Sequence, residues 1–290
     1  MHFRNNLAAA ALVCAAAFAV GFSGCDSRGS QDTSAQETAV EFPVLLYHHI
    51  DDVGEGDSTI KREVFLSHLD ALAEAGYTTI TTEQMQAYVE RGEELPEKPV
   101  LITFDDGYYS NYEIAYPALA ERDMKGVIFT IGVSSGKDTY KDTGKPILPH
   151  FSYEQAREMV DSGVMAVQTH TYDMHQYRPL EPDGGRVGVL AREDETPEEY
   201  QDALRTDFQR GIQELEEATG QDVTALAYPF GAHSPESEQM CDELQIPITF
   251  TIESEQARLV VGKPESLRLL GRYYIDDVSQ EELLDMIDPA

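Results

Sequence analysis

Two adjacent aspartates, Asp105 and Asp106, follow an uninterrupted run of apolar and β-prone residues from Val100 to Phe104. A run without polar alternation predicts a strand that is buried on both faces, as in a parallel sheet. Neighbouring strand residues point to opposite faces, so two aspartates can serve one site only where the strand ends and bends, which Gly107 permits. Taken alone, the motif is also consistent with an Asp-Asp-Gly turn on the surface.

A second polar strand end, QTHTYDMH, carries His170 and His175 five positions apart. On a helix this offset separates the side chains by about 140°, and on a strand it places them on opposite faces. A shared site therefore requires a loop that leaves the strand. Two loop histidines alone are more often polar surface residues than ligands. Together with two aspartates, however, they supply two imidazoles and one carboxylate for a catalytic metal, with one aspartate to spare.

A third strand end, LAYPFGAHS, contains a Pro-Phe-Gly turn. Proline fixes the backbone and Gly231 allows a close approach, so the amide N–H of Phe230 can be presented to a developing oxyanion. By itself this motif is weak evidence, because Pro-Phe-Gly is also an ordinary turn.

The elements that must position these residues alternate between strands and helices from Phe42 onward. Such alternation predicts an α/β fold with a parallel sheet, either a barrel or a doubly wound sheet, and sites in both lie at the carboxyl ends of strands. The stretch from Gln176 to Tyr200 is longer than an ordinary connection, so it is a candidate lid or substrate-binding loop, or else a tolerated insertion. Capping boxes predict three helix starts, at Thr81 with Gln84, Ser152 with Gln155, and Thr196 with Glu199 in a helix that stops at Gly220.

The first residues predict an export signal. A basic start is followed by the short apolar run LAAAALVCAAAFAVGF. The junction FSGC resembles the lipobox of bacterial lipoproteins, in which the cysteine, here Cys25, becomes the lipid-modified first residue; Phe22 departs from the usual leucine. We therefore predict a signal peptide over residues 1–24, a lipidated cysteine and flexible tether over 25–41, and a folded domain over 42–290. The domain would lie outside the cytoplasm, lipid-anchored to the cell membrane.

Charge and cysteine content narrow the partners. The formal net charge of −32 over 290 residues repels polyanions, so nucleic acid and anionic lipid are not expected to bind. Of the three cysteines, Cys14 would leave with the signal and Cys25 would be lipidated. Cys241 is then expected to be a helix core residue, with no internal disulfide, in a protein that we expect to be a monomer.

Together, PVLLYHHI, TFDDGYYSNY, HTYDMH and AYPFG resemble the polysaccharide deacetylase family, carbohydrate esterase family four, in the family's order over residues 42–275. The resemblance implies a distorted (β/α) barrel of about seven units. It also implies metal-dependent removal of N- or O-acetyl groups from a carbohydrate polymer, such as peptidoglycan in the cell wall or a secreted amino-sugar polymer. The wide histidine spacing is similar to that of the poly-N-acetylglucosamine branch.

The resemblance further implies a role for each residue of the motifs. Asp106, His170 and His175 would bind a divalent metal, in the first place Zn²⁺, with Co²⁺, Ni²⁺ or Fe²⁺ as alternatives. Asp105 would be the general base that takes a proton from the attacking water, and the Phe230 amide would help to form the oxyanion hole.

The chain also departs from the family's pattern. Ala227 stands where many members have an arginine, so Arg268 or Arg272 is a candidate to orient Asp105. With no tryptophan in the chain, sugar contacts would come from Tyr or Phe. The alternative function is a noncatalytic glycan-binding lipoprotein on the same fold, but a pure binder has no use for the spare carboxylate of Asp105.

The family's late Leu-x-His motif, whose histidine is the general acid, has no counterpart after His233. We hypothesise that Asp105 returns the proton to the leaving nitrogen. His48, His49 and His233 are the rival proton donors.

Overall fold

The computed structural model describes residues 37–288, except for Glu55, Asp57 and Pro182. The predicted signal peptide, Cys25 and most of the predicted tether lie outside the described residues. The strands are β1 (Ala39–Phe42), β2 (Val44–Tyr47), β3 (His49–Asp51), β4 (Thr59–Lys61), β5 (Thr78–Thr79), β6 (Pro99–Phe104), β7 (Gly126–Thr130), β8 (Thr139–Tyr140), β9 (Lys145–Pro146), β10 (Met165–Thr169), β11 (Ala225–Ala227), β12 (Ile248–Phe250), β13 (Ala257–Val260) and β14 (Tyr273–Tyr274). The α-helices are α1 (Arg62–Glu74), α2 (Thr82–Arg91), α3 (Tyr116–Glu121), α4 (Tyr153–Asp161), α5 (Pro197–Thr219), α6 (Pro235–Glu243) and α7 (Gln280–Ile287).

The central sheet is parallel and curls into a distorted barrel. Its strand order is β12-β11-β10-β7-β6-β2-β14, and β5 also pairs with β6. The segment that ends in β14 joins the two edges: Leu270 forms a parallel bridge with Phe250 of β12, and Tyr273 pairs with Leu45 of β2. This barrel confirms the predicted fold class.

Alternate residues of the sheet strands face two different cores. Leu101, Phe129 and Phe250 belong to an interior cluster, whereas Ile102 and Phe104 face outward, into the cluster that includes α1. Both clusters are buried, which is why the run from Val100 to Phe104 has no polar alternation.

The capping boxes predicted for α2, α4 and α5 are confirmed, as is the stop at Gly220, which is left-handed. Cys241 is buried and free in α6. One predicted boundary is wrong: residues 39–41, assigned to the tether, belong to β1 and pair with β13. Val40 packs against the interior cluster, and Glu41 pairs with Arg258, so this segment has partners that a free tether would lack.

Across residues 37–288, apart from the three gaps, no helix is both long enough and apolar enough to span a membrane.

Candidate active site

Three strand ends meet at the carboxyl edge of the barrel, and each contains a non-glycine residue with a left-handed backbone. The φ angles are 71° at Asp106, 71° at Thr171 and 59° at Phe230. Such a conformation costs of order 1–3 kcal/mol per residue and persists where the surroundings impose it, often in active sites. These three turns redirect the chain where the predicted site residues lie.

The bend after β6 begins at Asp106, one residue earlier than the sequence analysis placed it. Because Asp106 is already left-handed, Asp105 and Asp106 do not follow strand alternation and both reach the same site. Gly107 continues the turn with φ 83°, and a Cβ atom there would lie 2.3 Å from Oγ1 of Thr130. Only glycine fits at that position without a shift of β7.

Asp106, His170 and His175 form a compact group. Oδ1 of Asp106 lies 3.6 Å from Nε2 of His170 and 3.5 Å from Nε2 of His175. One donor atom from each side chain lies within 4.8 Å of the other two. The loop between the two histidines therefore brings them together, as a shared site requires.

The donor set fits a divalent metal. Oδ1 of Asp106 is buried and has no hydrogen-bond partner in the described part of the chain, an arrangement that is costly unless a cation pairs with it. Nδ1 of His170 lies 2.8 Å from the carbonyl oxygen of Ala227, to which it must donate. Its Nε2 then carries a lone pair that can bind a metal beside Asp106, as in metal-binding histidines.

The protonation states suit the same role. Burial lowers the pKa of His170 to about 4, so its imidazole is neutral at pH 7. Burial alone would raise the pKa of Asp106, but the electrostatic influence of the neighbouring histidines, His175 first, outweighs burial and lowers that pKa. Neutral imidazole and ionised carboxylate are the forms that bind a metal.

Asp105 has a different partner. Arg272 donates one hydrogen bond to each of its carboxylate oxygens, both at 2.7 Å. Both residues are buried, Asp105 at 3% and Arg272 at 0% exposure. Burial alone would raise the pKa of Asp105, but the Arg272 charge and its hydrogen bonds outweigh burial and lower that pKa overall. The two adjacent carboxylates are thus held separately.

Arg268, the other arginine proposed to orient Asp105, lies elsewhere. It pairs with Asp242 of α6, and its Nη1 is 3.8 Å from Glu238. Its side chain therefore contacts α6, whereas Arg272 extends into the barrel beside the rings of Phe129 and Phe250.

Phe230 lies beside the metal-binding group. Its ring centroid is 4.4 Å from that of His175. Its amide belongs to the first turn of a short 3₁₀ helix, Pro229–Gly231, where N–H groups lack partners within the helix. The Phe230 N–H therefore has no acceptor within this short helix.

A cavity of about 450 Å³ opens beside Asp106 and His175. Its walls are largely apolar and aromatic, and Leu148, Tyr177 and Phe230 are 44%, 59% and 49% exposed. No lysine or arginine is among the described residues that line it. Exposed apolar side chains around a polar centre are typical of ligand sites, and aromatic faces suit sugar rings.

The long connection over residues 176–200 forms one wall of this cavity through Gln176, Tyr177 and Leu180. The Tyr177 amide donates to the Tyr140 hydroxyl at 3.0 Å, and Tyr140 in turn hydrogen-bonds Glu181. The position of this connection beside the cavity favours a role in substrate binding over that of a tolerated insertion.

Sequence reasoning missed two residues of the same cavity, Tyr108 and His150. Burial, followed by the charge of the nearby Asp106 carboxylate, raises the pKa of Tyr108. Nδ1 of His150 is buried without a partner among the described residues, and burial lowers the pKa of this histidine. The only sequence signal for His150 is the long connection between β7 and α4.

The three histidines named as rival proton donors occupy different surroundings. His48 has a buried Nδ1 without a partner in the described region, and it lies near enough to influence both aspartates. Nδ1 of His49 is 2.9 Å from the Ser110 hydroxyl. His233 is exposed and its Nδ1 faces the Gly231 carbonyl oxygen at 3.1 Å. His48 and His49 are half-buried, whereas His233 is exposed.

Comparison with known proteins gives one family. A family model described as polysaccharide deacetylase matches residues 92–248, more than half of the chain. YxkH of Bacillus subtilis (strain 168), whose name places it among the polysaccharide deacetylases, is 29% identical over 226 residues, which cover 77% of this chain and 69% of YxkH.

The poly-beta-1,6-N-acetyl-D-glucosamine N-deacetylase of Escherichia coli (strain K12) is 23% identical over 228 residues, or 73% of this chain. The chain spans only about a third of that enzyme, 34%. A solved de-N-acetylase from Aggregatibacter actinomycetemcomitans has a TM-score of 0.73 at 22% identity, covering 86% of this chain and all of that one. This last likeness shows the fold.

Proposed function

Because the chain belongs to the polysaccharide deacetylase family, we propose that it is a metal-dependent hydrolase that removes acetyl groups from an N-acetylated carbohydrate polymer. The observation that carries this proposal is the separation of the two aspartates. Oδ1 of Asp106 has no hydrogen-bond partner among the described residues and faces two imidazoles, while Asp105 is held on both oxygens by Arg272. Such a hydrolysis needs two carboxylates, one as a metal ligand and one as a base that does not bind the metal.

In the proposed reaction, Asp105 takes a proton from the water that attacks the acetyl carbonyl carbon. Arg272 keeps the carboxylate ionised and fixes its orientation, and four lone-pair directions leave it able to accept that proton. The Phe230 N–H donates to the developing oxyanion. The C–N bond then breaks, and Asp105 returns the proton to the leaving amine. A divalent ion on Asp106, His170 and His175 would supply Lewis-acid polarisation; we propose Zn²⁺.

The cavity supports a neutral sugar as substrate. Its described lining offers aromatic and aliphatic surface without a lysine or an arginine, and the chain carries a net charge of −32. Polyanionic polymers would be repelled. The names of the Escherichia coli and Aggregatibacter relatives favour an N-acetyl group over an O-acetyl group.

Two further parts of the proposal concern the chain outside the described residues. We propose that Cys25 is lipidated after removal of residues 1–24, which would hold a monomeric domain outside the cytoplasm at the cell membrane. FSGC after the apolar run supports this location. The substrate would then be a surface polymer, such as peptidoglycan or a secreted amino-sugar polymer.

The test is acetate release by the zinc-loaded chain from chitooligosaccharides, β-1,6-linked N-acetylglucosamine oligomers, peptidoglycan fragments and acetylated xylan. We expect release from an N-acetylated substrate, and none from Asp105→Asn, which should keep its zinc. Asp106→Asn should lose most of its zinc, because one ligand is weakened. Binding of an oligosaccharide without acetate release would favour the noncatalytic alternative. If both variants keep zinc and activity, the assignment of the site is wrong.

A further inference from the structure

Asp207 of α5 lies behind the loop that joins the two histidines of the metal centre, and the proposed reaction does not use it. Its side chain is only 9% exposed. Oδ1 accepts a hydrogen bond from the Tyr172 amide at 2.9 Å, and Oδ2 accepts one from the Asp173 amide at 2.7 Å. Hydrogen bonds to an ionised carboxylate are the stronger kind.

These contacts fall in the middle of a loop with an unusual backbone. Thr171 has φ 71°, a conformation that is costly for a β-branched residue. On the opposite side of the loop, the amides of Gly132 and Val133 donate to the carbonyl oxygens of Thr171 and Tyr172. The loop is thus held by hydrogen bonds on two sides, from the residues that follow β7 and from Asp207 of α5.

Helix α5 also approaches the loop closely. At Gly211, one turn after Asp207, a Cβ atom would lie 3.1 Å from Oγ1 of Thr169 and 3.3 Å from the Tyr172 amide nitrogen. A glycine within a 23-residue helix lowers helix stability, and here it leaves room for the loop backbone.

We propose that Asp207 is a positioning residue of the metal centre, which sets the loop conformation that brings His175 to Asp106 and His170. Two successive amides need two acceptors, and only a carboxylate presents both oxygens; an asparagine offers one oxygen and turns an NH₂ group toward the second amide. The inference rests on the proposed function, because it assumes that the three ligands bind a metal.

The test is the affinity of the purified full chain for Zn²⁺ alone, measured by competition with a chromophoric chelator. Asp207→Asn should weaken zinc binding by about 10- to 100-fold, as is usual when a group that orients a ligand is lost. At saturating zinc it should lower kcat and leave KM nearly unchanged, because Asp207 is not a residue of the substrate cavity. Asp202→Asn, the same charge change at an exposed position of α5, is the matched control and should bind zinc like the wild type.

A second variant tests the contact between α5 and the loop without a change in charge. Gly211→Ala should push the loop from α5 and weaken zinc binding in the same direction, so a folding failure of Asp207→Asn does not end the test. Wild-type zinc affinity in both Asp207→Asn and Gly211→Ala would overturn the inference. The proposed metal centre itself would fail separately, if His170→Ala bound zinc as tightly as the wild type.

Discussion

Replacing Arg272 by glutamine is expected to lower the free energy of unfolding by about 3–5 kcal/mol, the usual loss when one partner of a buried ion pair is removed. The change leaves Asp105 at 3% exposure without its cation. It also removes hydrogen bonds from Arg272 to the Thr251 carbonyl at 2.9 Å and the Thr103 hydroxyl at 3.3 Å. Arg272→Lys keeps the charge but not the two-pronged contact, so a smaller loss of about 1–3 kcal/mol is expected.

The measurement is urea unfolding in the presence of a chelator, so that bound metal does not mask the difference. The effect of Arg272→Gln is measured in the wild type and in Asp105→Asn. In the Asp105→Asn background, the loss in free energy of unfolding should be smaller by about 1–3 kcal/mol, because the ion pair is already absent. Arg268→Gln is the control: its partner Asp242 has a 72% exposed side chain, so the expected loss is below about 1 kcal/mol. In acetate release, Arg272→Gln should be impaired with its zinc content retained.

Equal losses from Arg272→Gln in both backgrounds would refute the reasoning, because the energy would then not come from the pair with Asp105. A larger loss from Arg268→Gln than from Arg272→Gln would refute the choice between the two arginines.

Three further predictions concern the proton, pH and the anchor. If Asp105 both takes and returns the proton, replacing a single histidine by alanine should lower the rate of acetate release by less than about tenfold. The variants to measure are those at His48, His49, His150 and His233. Burial raises the pKa of Asp207 to about 6, so its folded form holds a proton more tightly than the unfolded chain does. The free energy of unfolding of the wild type relative to that of Asp207→Asn should therefore be highest below about pH 4. It should fall by up to about 3 kcal/mol as the pH rises through 6, as measured by urea unfolding at each pH in the presence of a chelator. Cys25→Ala should accumulate as unprocessed precursor and leave the detergent phase.

Each of these has a contrary outcome. A loss of about 10³ or more in one histidine variant, with zinc content unchanged, would identify that histidine as the acid and Asp105 as the base alone. A pH dependence of stability identical in wild type and Asp207→Asn would show that Asp207 titrates normally. Normal processing and detergent partitioning of Cys25→Ala would exclude lipidation there.

The sequence predicts the features that depend on local pattern. The uninterrupted run from Val100 to Phe104 indicates a buried parallel strand, and the five-residue spacing of His170 and His175 requires a loop. Polar residues at strand ends then converge because parallel strands end on one edge. The bend at Asp106 was not predictable, because aspartate adopts both extended and left-handed backbones and the surrounding packing decides between them.

Contacts between distant segments were also out of reach. Arg268 and Arg272 each lie two positions from Leu270, which bridges Phe250, and the left-handed backbone at Leu269, with φ 52°, breaks the alternation on the side of Arg268. Asp207 sits in a polar part of α5, where the simplest interpretation of a carboxylate is exposure to solvent. Gly211 was the available signal, since glycine within a long helix marks a close backbone approach.

Closure of the barrel has a consequence for the order in which the site can be assembled. Arg272 and Asp105 are 167 positions apart in the chain, whereas Asp106, His170 and His175 come from strand ends nearer in sequence. The longer loop has the larger closure entropy, and Arg272 lies in the segment that joins β12 to β2. Local opening of the segment between β12 and β2 would separate Asp105 from Arg272 and leave the three metal ligands in place. On warming, we therefore expect acetate release to be lost before the bound metal.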